Sequence, residues 1–148
     1  MDKAALVEHL STLLAERAAA LKSELAATLE ARNSDTKSSA GDKHEVGRAM
    51  VQQELDQLEM QLAKTQAMQQ ELARVPLERL YDQVAFGSLV STDQGSYFIA
   101  IGTGAMEMAS GTCYAISLAS PIGQALKDKR MGDVITFNGK RITITGIE

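Results

Sequence analysis

The stretch ALVEHLSTLLAERAAALKSELAATLE, residues 5–30, decides the fold of the first half of the chain. Its apolar side chains recur every three or four residues, the spacing of one stripe along an α-helix. The stripe consists of Leu6, Leu10, Leu14, Ala18, Leu21, Leu25 and Leu29. This pattern predicts a long helix with a narrow apolar face.

A second stretch repeats the pattern after a polar interruption. Its apolar stripe consists of Val51, Leu55, Leu58, Leu62, Thr65, Met68 and Leu72. Between the two stretches, residues 33–41 (NSDTKSSAG) are small, polar and poor in helix formers, so we predict a connection that reverses the chain. The result is an antiparallel two-helix coiled-coil hairpin. Arms of about 30 residues, at 1.5 Å per residue, give a rod on the order of 45 Å.

The composition changes at Pro76. Residues 76–148 contain nine of the eleven glycines and all six aromatic residues, whereas residues 1–75 contain no proline. We therefore predict two domains, a hairpin at residues 1–75 and a second domain at residues 76–148.

The second domain shows short runs of alternating apolar and polar residues, which indicate strands. We place them at residues 87–91, 97–101, 112–118, 134–137 and 141–147. Asn138-Gly139 is a strong two-residue hairpin signal. Ser120-Pro121 is typical of a helix start, so we predict a helix at 122–129, and a short helical linker at 77–84. The fold class is α+β, with an antiparallel sheet and one short helix after the hairpin.

Composition excludes several classes of protein. The formal net charge of -4 argues against non-specific nucleic-acid binding, so any nucleic acid would be reached indirectly. The single Cys113 excludes an internal disulfide and is expected in the core, and two histidines are too few for a structural zinc site. No apolar run reaches the roughly 18 residues of a membrane span. We expect a soluble cytoplasmic protein, without membrane contact, that is monomeric.

Two acids mark the predicted hairpin tip. Asp42 and Glu45 are three residues apart at the start of the second helix, so both carboxylates fall on one side of it. The spacing fits a capping box, in which the two residues satisfy the first backbone N–H groups. It also fits a pair of hard oxygen ligands for Mg²⁺, which would need further ligands from elsewhere. Both interpretations remain open at this point.

Three segments resemble the Gre family of bacterial transcript cleavage factors. Gly41-Asp42-Lys43-His44-Glu45 is similar to the family's Gly-Asp-x-x-Glu tip motif. Residues 84–90 (VAFGSLV) are similar to the first strand of its C-terminal domain. Residues 116–126 (ISLASPIGQAL), followed by Gly132-Asp133-Val134, resemble its Ser-Pro-Ile helix and the strand entry after it. In order and spacing the resemblance covers nearly the whole chain.

The resemblance implies a function. Gre factors have a coiled-coil N-terminal domain and an FKBP-like C-terminal domain that docks on RNA polymerase at the rim of its secondary channel. The resemblance implies that Ser120, Pro121 and Ile122 contribute to polymerase binding. It also implies that Asp42 and Glu45 are the catalytic and metal-binding residues, which help to hold a Mg²⁺ shared with the polymerase and orient a water that cuts backtracked RNA. The polymerase would remain the enzyme.

The tip departs from the family pattern. Val46 stands where an asparagine is usual, and Lys43-His44 replaces an apolar-Lys pair. A non-cleaving regulator that enters the same channel is therefore an alternative. A third is prolyl isomerase activity of the second domain, although its aromatic residues are too few for the usual apolar pocket. Asp35 could bring a third acid toward the tip or form a local Asx turn, and His44 is either a pH-sensitive neighbour of the acids or an ordinary exposed histidine.

Overall fold

The computed structural model describes the backbone of residues 1–38 and 42–148 and the side chains of residues 1–34 and 46–148. The described residues form three helices and six strands, which are α1 (Lys3–Ser38), α2 (Asp42–Ala73), β1 (Leu89–Thr92), β2 (Gly95–Ile99), β3 (Gly104–Met108), β4 (Gly111–Ile116), α3 (Pro121–Leu126), β5 (Val134–Phe137) and β6 (Lys140–Ile147). They divide into two compact units. One is His9–Gln70, and the other combines Met1–Glu8 with Glu71–Glu148.

The two predicted long helices are confirmed, and they pack against each other through the predicted stripes. Among the described side chains of His9–Gln70, the buried ones are Leu10, Leu14, Ala18 and Leu21 from α1, and Leu55, Leu58 and Thr65 from α2. Thr65 is 3% exposed, and its hydroxyl donates to the Gln61 carbonyl at 2.9 Å, so its buried polar atom is satisfied within the helix. The narrow apolar stripes of α1 and α2 thus form a thin hydrophobic interface between the two helices.

Burial along the α1 stripe declines toward the C-terminal end of the helix. Leu10 is fully buried, Leu21 is 9% exposed, Leu25 is half-buried and Leu29 is 42% exposed. Residues that share one sequence pattern therefore differ in how much apolar surface they remove from water.

This gradient predicts unequal costs for the same substitution. Leu10→Ala is expected to reduce the free energy of unfolding by about 2–5 kcal/mol, because it deletes fully buried methyl groups. Leu29→Ala is expected to cost less than about 1 kcal/mol, because much of that side chain is already in water. Urea denaturation followed by far-UV circular dichroism measures both. Equal losses would contradict the burial gradient.

Two sequence predictions about local structure are wrong. The predicted connection begins too early, since α1 continues to Ser38 through residues expected to leave the helix. Extending an existing helix is cheap compared with starting one, and these polar residues each cost only about 0.5 kcal/mol relative to alanine. The predicted helical linker at 77–84 contains no helix. There the Val84 backbone pairs with the segment after α3, donating to the Lys129 carbonyl at 2.8 Å and accepting from the Asp128 N–H at 2.9 Å.

The described strands form one sheet in the order β3-β4-β2-β1-β6-β5. β2 pairs with β4 in parallel, and the other neighbouring pairs are antiparallel. The predicted hairpin at Asn138-Gly139 is confirmed. Both residues have positive φ, 51° and 77°, as the tight turn between β5 and β6 requires. β3 was not predicted.

The sheet and α3 enclose a core within their own unit. The buried cluster consists of Val84, Val90, Ile99, Leu126, Ile135, Ile142 and Ile144. α3 contributes Leu126 from its last turn, and Ile122 packs against the cluster while half-exposed. The predicted α+β class is confirmed. None of the helices in the described ranges 1–38 and 42–148 combines the length and apolar character that crossing a bilayer requires.

Cys113 is fully buried in β4, as predicted. Burial raises the pKa of its thiol from the ordinary 9.0 to about 11, and a backbone hydrogen bond with Phe98 lowers it only in part. The unfolded chain therefore releases this proton near pH 9, whereas the folded chain keeps it until about pH 11. The thiol's contribution to stability is complete below pH 9 and is lost as the pH rises toward 11.

We expect the free energy of unfolding to fall between pH 9 and 11, with the thiol accounting for up to about 2.5 kcal/mol. Burial also raises the pKa of Tyr81 and of Tyr97, so the free energy of unfolding falls further above pH 10. Cys113→Ala should show a shallower fall than the unmodified chain in urea titrations across this range. Identical slopes for the two proteins would contradict the prediction.

Candidate functional site

The two predicted tip acids lie in the first turn of α2. α1 ends at Ser38 and α2 begins at Asp42, so Asp42 and Glu45 follow directly after the connection between the two packed helices. Their side chains, like those of Asp35 and His44, lie outside the described residues. The structure therefore gives these acids a position along the chain, and their ligand geometry stays a prediction.

A polar link joins the two helices in the described part nearest these acids. The Arg32 guanidinium donates to the Gln52 side-chain oxygen at 2.9 Å, and the Gln52 amide donates to the Asp56 carboxylate at 2.9 Å. These bonds connect α1 to α2 about three helical turns beyond Asp42. These residues were not predicted, since a polar pair across two helices leaves no periodic signal in the sequence. The link fixes the alignment of the helices where the apolar seam weakens.

Apolar side chains are exposed close to the same end of the helices. Val46 is 61% exposed and Met50 is 67% exposed, and Leu29 on α1 is 42% exposed. Val46 is the residue that stands next to the second acid. The described surface near the predicted tip is therefore partly apolar.

Among the side chains of residues 1–34 and 46–148, no group of three or more His, Cys, Asp or Glu could hold a metal ion. Asp42 and Glu45 fall outside this range. The predicted Mg²⁺ ligands consequently rest on the chemistry of two carboxylates, which are hard oxygen donors.

The predicted partner-binding residues form the start of α3. Ser120 is the N-cap, as predicted, because its hydroxyl oxygen accepts from the Gly123 N–H at 3.1 Å. The same hydroxyl donates to the Ser117 carbonyl at 2.7 Å. Pro121 is the first helical residue and is exposed, and Ile122 is half-buried against the core.

At the start of α3, some groups maintain the local structure and others are accessible to solvent. The Ser120 hydroxyl is occupied by two bonds within the chain, whereas Pro121 presents its ring to solvent. Gln124 supports the same corner, since its side-chain amide donates to the Leu118 carbonyl at 2.8 Å. The corner is thus a preorganised surface on which Pro121 and the exposed part of Ile122 are available to a partner.

Comparisons with known proteins do not identify a family for this chain. No family model matches the chain, and no curated protein is significantly similar to it. The functional interpretation therefore depends on the tip acids, the helices that carry them and the α3 corner.

Proposed function

We propose that this protein is a transcription elongation factor of the Gre type. It binds RNA polymerase at the secondary channel and stimulates cleavage of backtracked RNA through Asp42 and Glu45. The observation that supports this most is the position of both acids at the start of a helix of 32 residues, packed against a second helix of 36 residues. At 1.5 Å per residue, α2 carries Asp42 about 45 Å from Ala73, a reach suited to a deep cavity in a partner.

The proposed chemistry divides its ligands between two proteins. Asp42 and Glu45 would hold a Mg²⁺ together with carboxylates of the polymerase. A metal in this position activates a water and stabilises charge on the scissile phosphate. The chain itself positions its two carboxylates, and it completes a reaction that the polymerase catalyses. As such a factor it would act as a monomer in the bacterial cytoplasm.

The α3 corner supplies the proposed docking contact. Pro121 is exposed at the first position of α3, and Ile122 shows an apolar edge beside it. A small rigid apolar contact of this kind loses little conformational entropy on binding. Ser120 would act by holding the corner in shape.

The test is a stalled, backtracked bacterial elongation complex in the presence of Mg²⁺. Added protein is expected to release short RNA from the 3′ end and to restore elongation. Polymerase binding is measured in parallel by co-sedimentation. Binding without release of RNA would reject the cleavage function.

A non-cleaving regulator is the second candidate, and the exposed apolar side chain of Val46 beside the second acid favours it. Such a protein would occupy the channel and inhibit synthesis through contacts that do not involve a metal. Inhibition that survives replacement of both Asp42 and Glu45 by alanine would support this candidate, and loss of inhibition in that variant would reject it.

A further inference from the structure

A cavity of about 420 Å³ lies within the unit that contains the sheet, away from the tip acids in sequence. It is formed by the first turn of α1, by the irregular segment after Pro76 and by the end of β6. Its lining includes Lys3, Glu78, Arg79, Tyr81, Ile147 and Glu148. Its volume is in the range of small-molecule sites.

Lys3 is the unusual group in this lining. It is only 7% exposed, and its Nζ lies 4.6 Å from the centre of the Tyr81 ring. Among the residues with described side chains, its ammonium makes no ion pair within 4 Å and no side-chain hydrogen bond. Burial lowers the pKa of Lys3, and the charge of Glu148 offsets this only in part. The chain thus buries most of this side chain and leaves its ammonium at the cavity without an ion pair or hydrogen bond among the described residues.

A second cation faces the same ring. The Arg79 guanidinium carbon lies 4.7 Å from the Tyr81 centre, and Arg79 lines the cavity as well. Two positive groups held on one aromatic ring repel each other, and an anion beside them would relieve that repulsion. The described ion pairs are Arg74 with Glu71 and Arg130 with Asp82, so neither cation of the cavity is engaged in one.

The ring that gathers these cations is fixed in place. The Tyr81 hydroxyl donates to the Phe86 carbonyl at 2.9 Å. A side-chain carbon at Gly87 would lie 2.6 Å from that hydroxyl oxygen, so the glycine leaves room for the ring. A rigid aromatic surface with two cations on it is a preorganised site, which binds at low conformational cost.

The remaining charges limit the ligand. Asp2 is used at the start of α1, where its carboxylate accepts from the Ala4 N–H at 3.0 Å. Glu78 and Glu148 add negative charge to the rim, and they would repel a polyanion. Leu77 and Ile147 supply an apolar wall. We infer that the cavity binds a small, singly charged carboxylate with an apolar body, its carboxylate at Lys3 and Arg79.

The test titrates the isolated full chain with hexanoate, in the absence of polymerase, so its outcome is independent of the proposed function. Amide shifts in ¹H–¹⁵N spectra are expected to be saturable and to centre on Ala4 and Tyr81. 1-Hexanol, which has the same chain without the charge, is expected to bind about tenfold more weakly or worse. No saturable shifts up to about 10 mM hexanoate would overturn the inference, as would equal binding of the alcohol.

Variants locate the charge. Lys3→Met, which keeps the side-chain length, should weaken hexanoate binding about tenfold or more, and Lys129→Met, an exposed lysine of the same unit, should leave it unchanged. If Lys3→Met fails to fold, Arg79→Met provides a second measurement, because Arg79 is exposed. We expect Arg79→Met to weaken hexanoate binding severalfold. Unchanged binding in the folded Lys3 or Arg79 variant, or tighter binding of inorganic tripolyphosphate than of hexanoate, would refute the assignment.

Discussion

Replacing Asp42 and Glu45 together by alanine is expected to reduce stimulated RNA cleavage by about 100-fold or more, with polymerase binding nearly unchanged. The reason is that both proposed ligands of one Mg²⁺ are removed, while the α3 corner that would dock the protein is untouched. Cleavage is measured as the initial rate of short RNA release from a backtracked complex. Co-sedimentation with polymerase shows whether the variant still binds.

A second variant separates metal binding from helix capping. Asp42→Ser with Glu45→Gln keeps the predicted capping-box pattern, because serine and glutamine satisfy the first N–H groups of a helix as well as the acids do. It removes both negative charges. We expect this variant to retain the helicity of the unmodified chain and to lose cleavage like the double alanine variant. Full cleavage activity in it would mean that the two acids only cap α2.

Gly123→Ala is expected to destabilise the unit that contains the sheet by about 3 kcal/mol or more. A methyl group at this position would lie 2.7 Å from the Leu118 carbonyl oxygen and closer still to that of Ser117. Both contacts are to backbone, which cannot turn away as a side chain can. The Ser117 carbonyl also accepts from the Ser120 hydroxyl, so moving it disturbs a bond that holds the N-cap hydroxyl of α3 in place.

Gly102→Ala is the matched control for this prediction. Its nearest neighbour would be the Ser117 backbone nitrogen at 3.8 Å, an ordinary contact, so a change below about 1 kcal/mol is expected. Near-UV circular dichroism during urea unfolding reports on both variants, because every aromatic residue lies in residues 76–148. Similar stabilities for the two alanine variants would show that the turn before α3 adapts to an added carbon.

The helices and most strands were predictable because their signals are local and repeated. Leu10 and Leu14 sit on a stripe that continues for many turns, so errors at single residues do not change the result. Asn138-Gly139 identifies its turn because few residue pairs tolerate positive φ at both positions. The N-cap at Ser120 is equally local, since its hydroxyl bonds to groups within three residues.

Features that depend on distant partners were missed. β3 is rich in Gly, Ala, Met and Glu, which are not typical strand residues, and it forms because it pairs with β4. A weak signal was present, since buried Met106 alternates with exposed Glu107. The segment at 77–84 has helix-forming residues, yet the Val84 backbone bonds to residues more than forty positions away.

The same difference between local signals and distant partners applies to the candidate sites. Asp42 and Glu45 were predicted as a site from a local motif; α2 begins at Asp42, and the role of the two acids stays a prediction. The cavity around Lys3 and Tyr81 was not predicted, because it joins residues from both ends of the sequence. No spacing rule connects a lysine in the first turn of α1 with a tyrosine in an irregular segment 78 positions later.

The most direct test of the proposed function places a photo-crosslinking amino acid at position 44, between the two acids, and irradiates the protein in complex with bacterial RNA polymerase. The crosslinked polymerase peptides are identified by mass spectrometry. We expect crosslinks to segments around the catalytic Mg²⁺ of the polymerase, and their loss when Pro121→Asp weakens docking. Crosslinks confined to the outer surface of the polymerase, or none in a complex that binds, would contradict it.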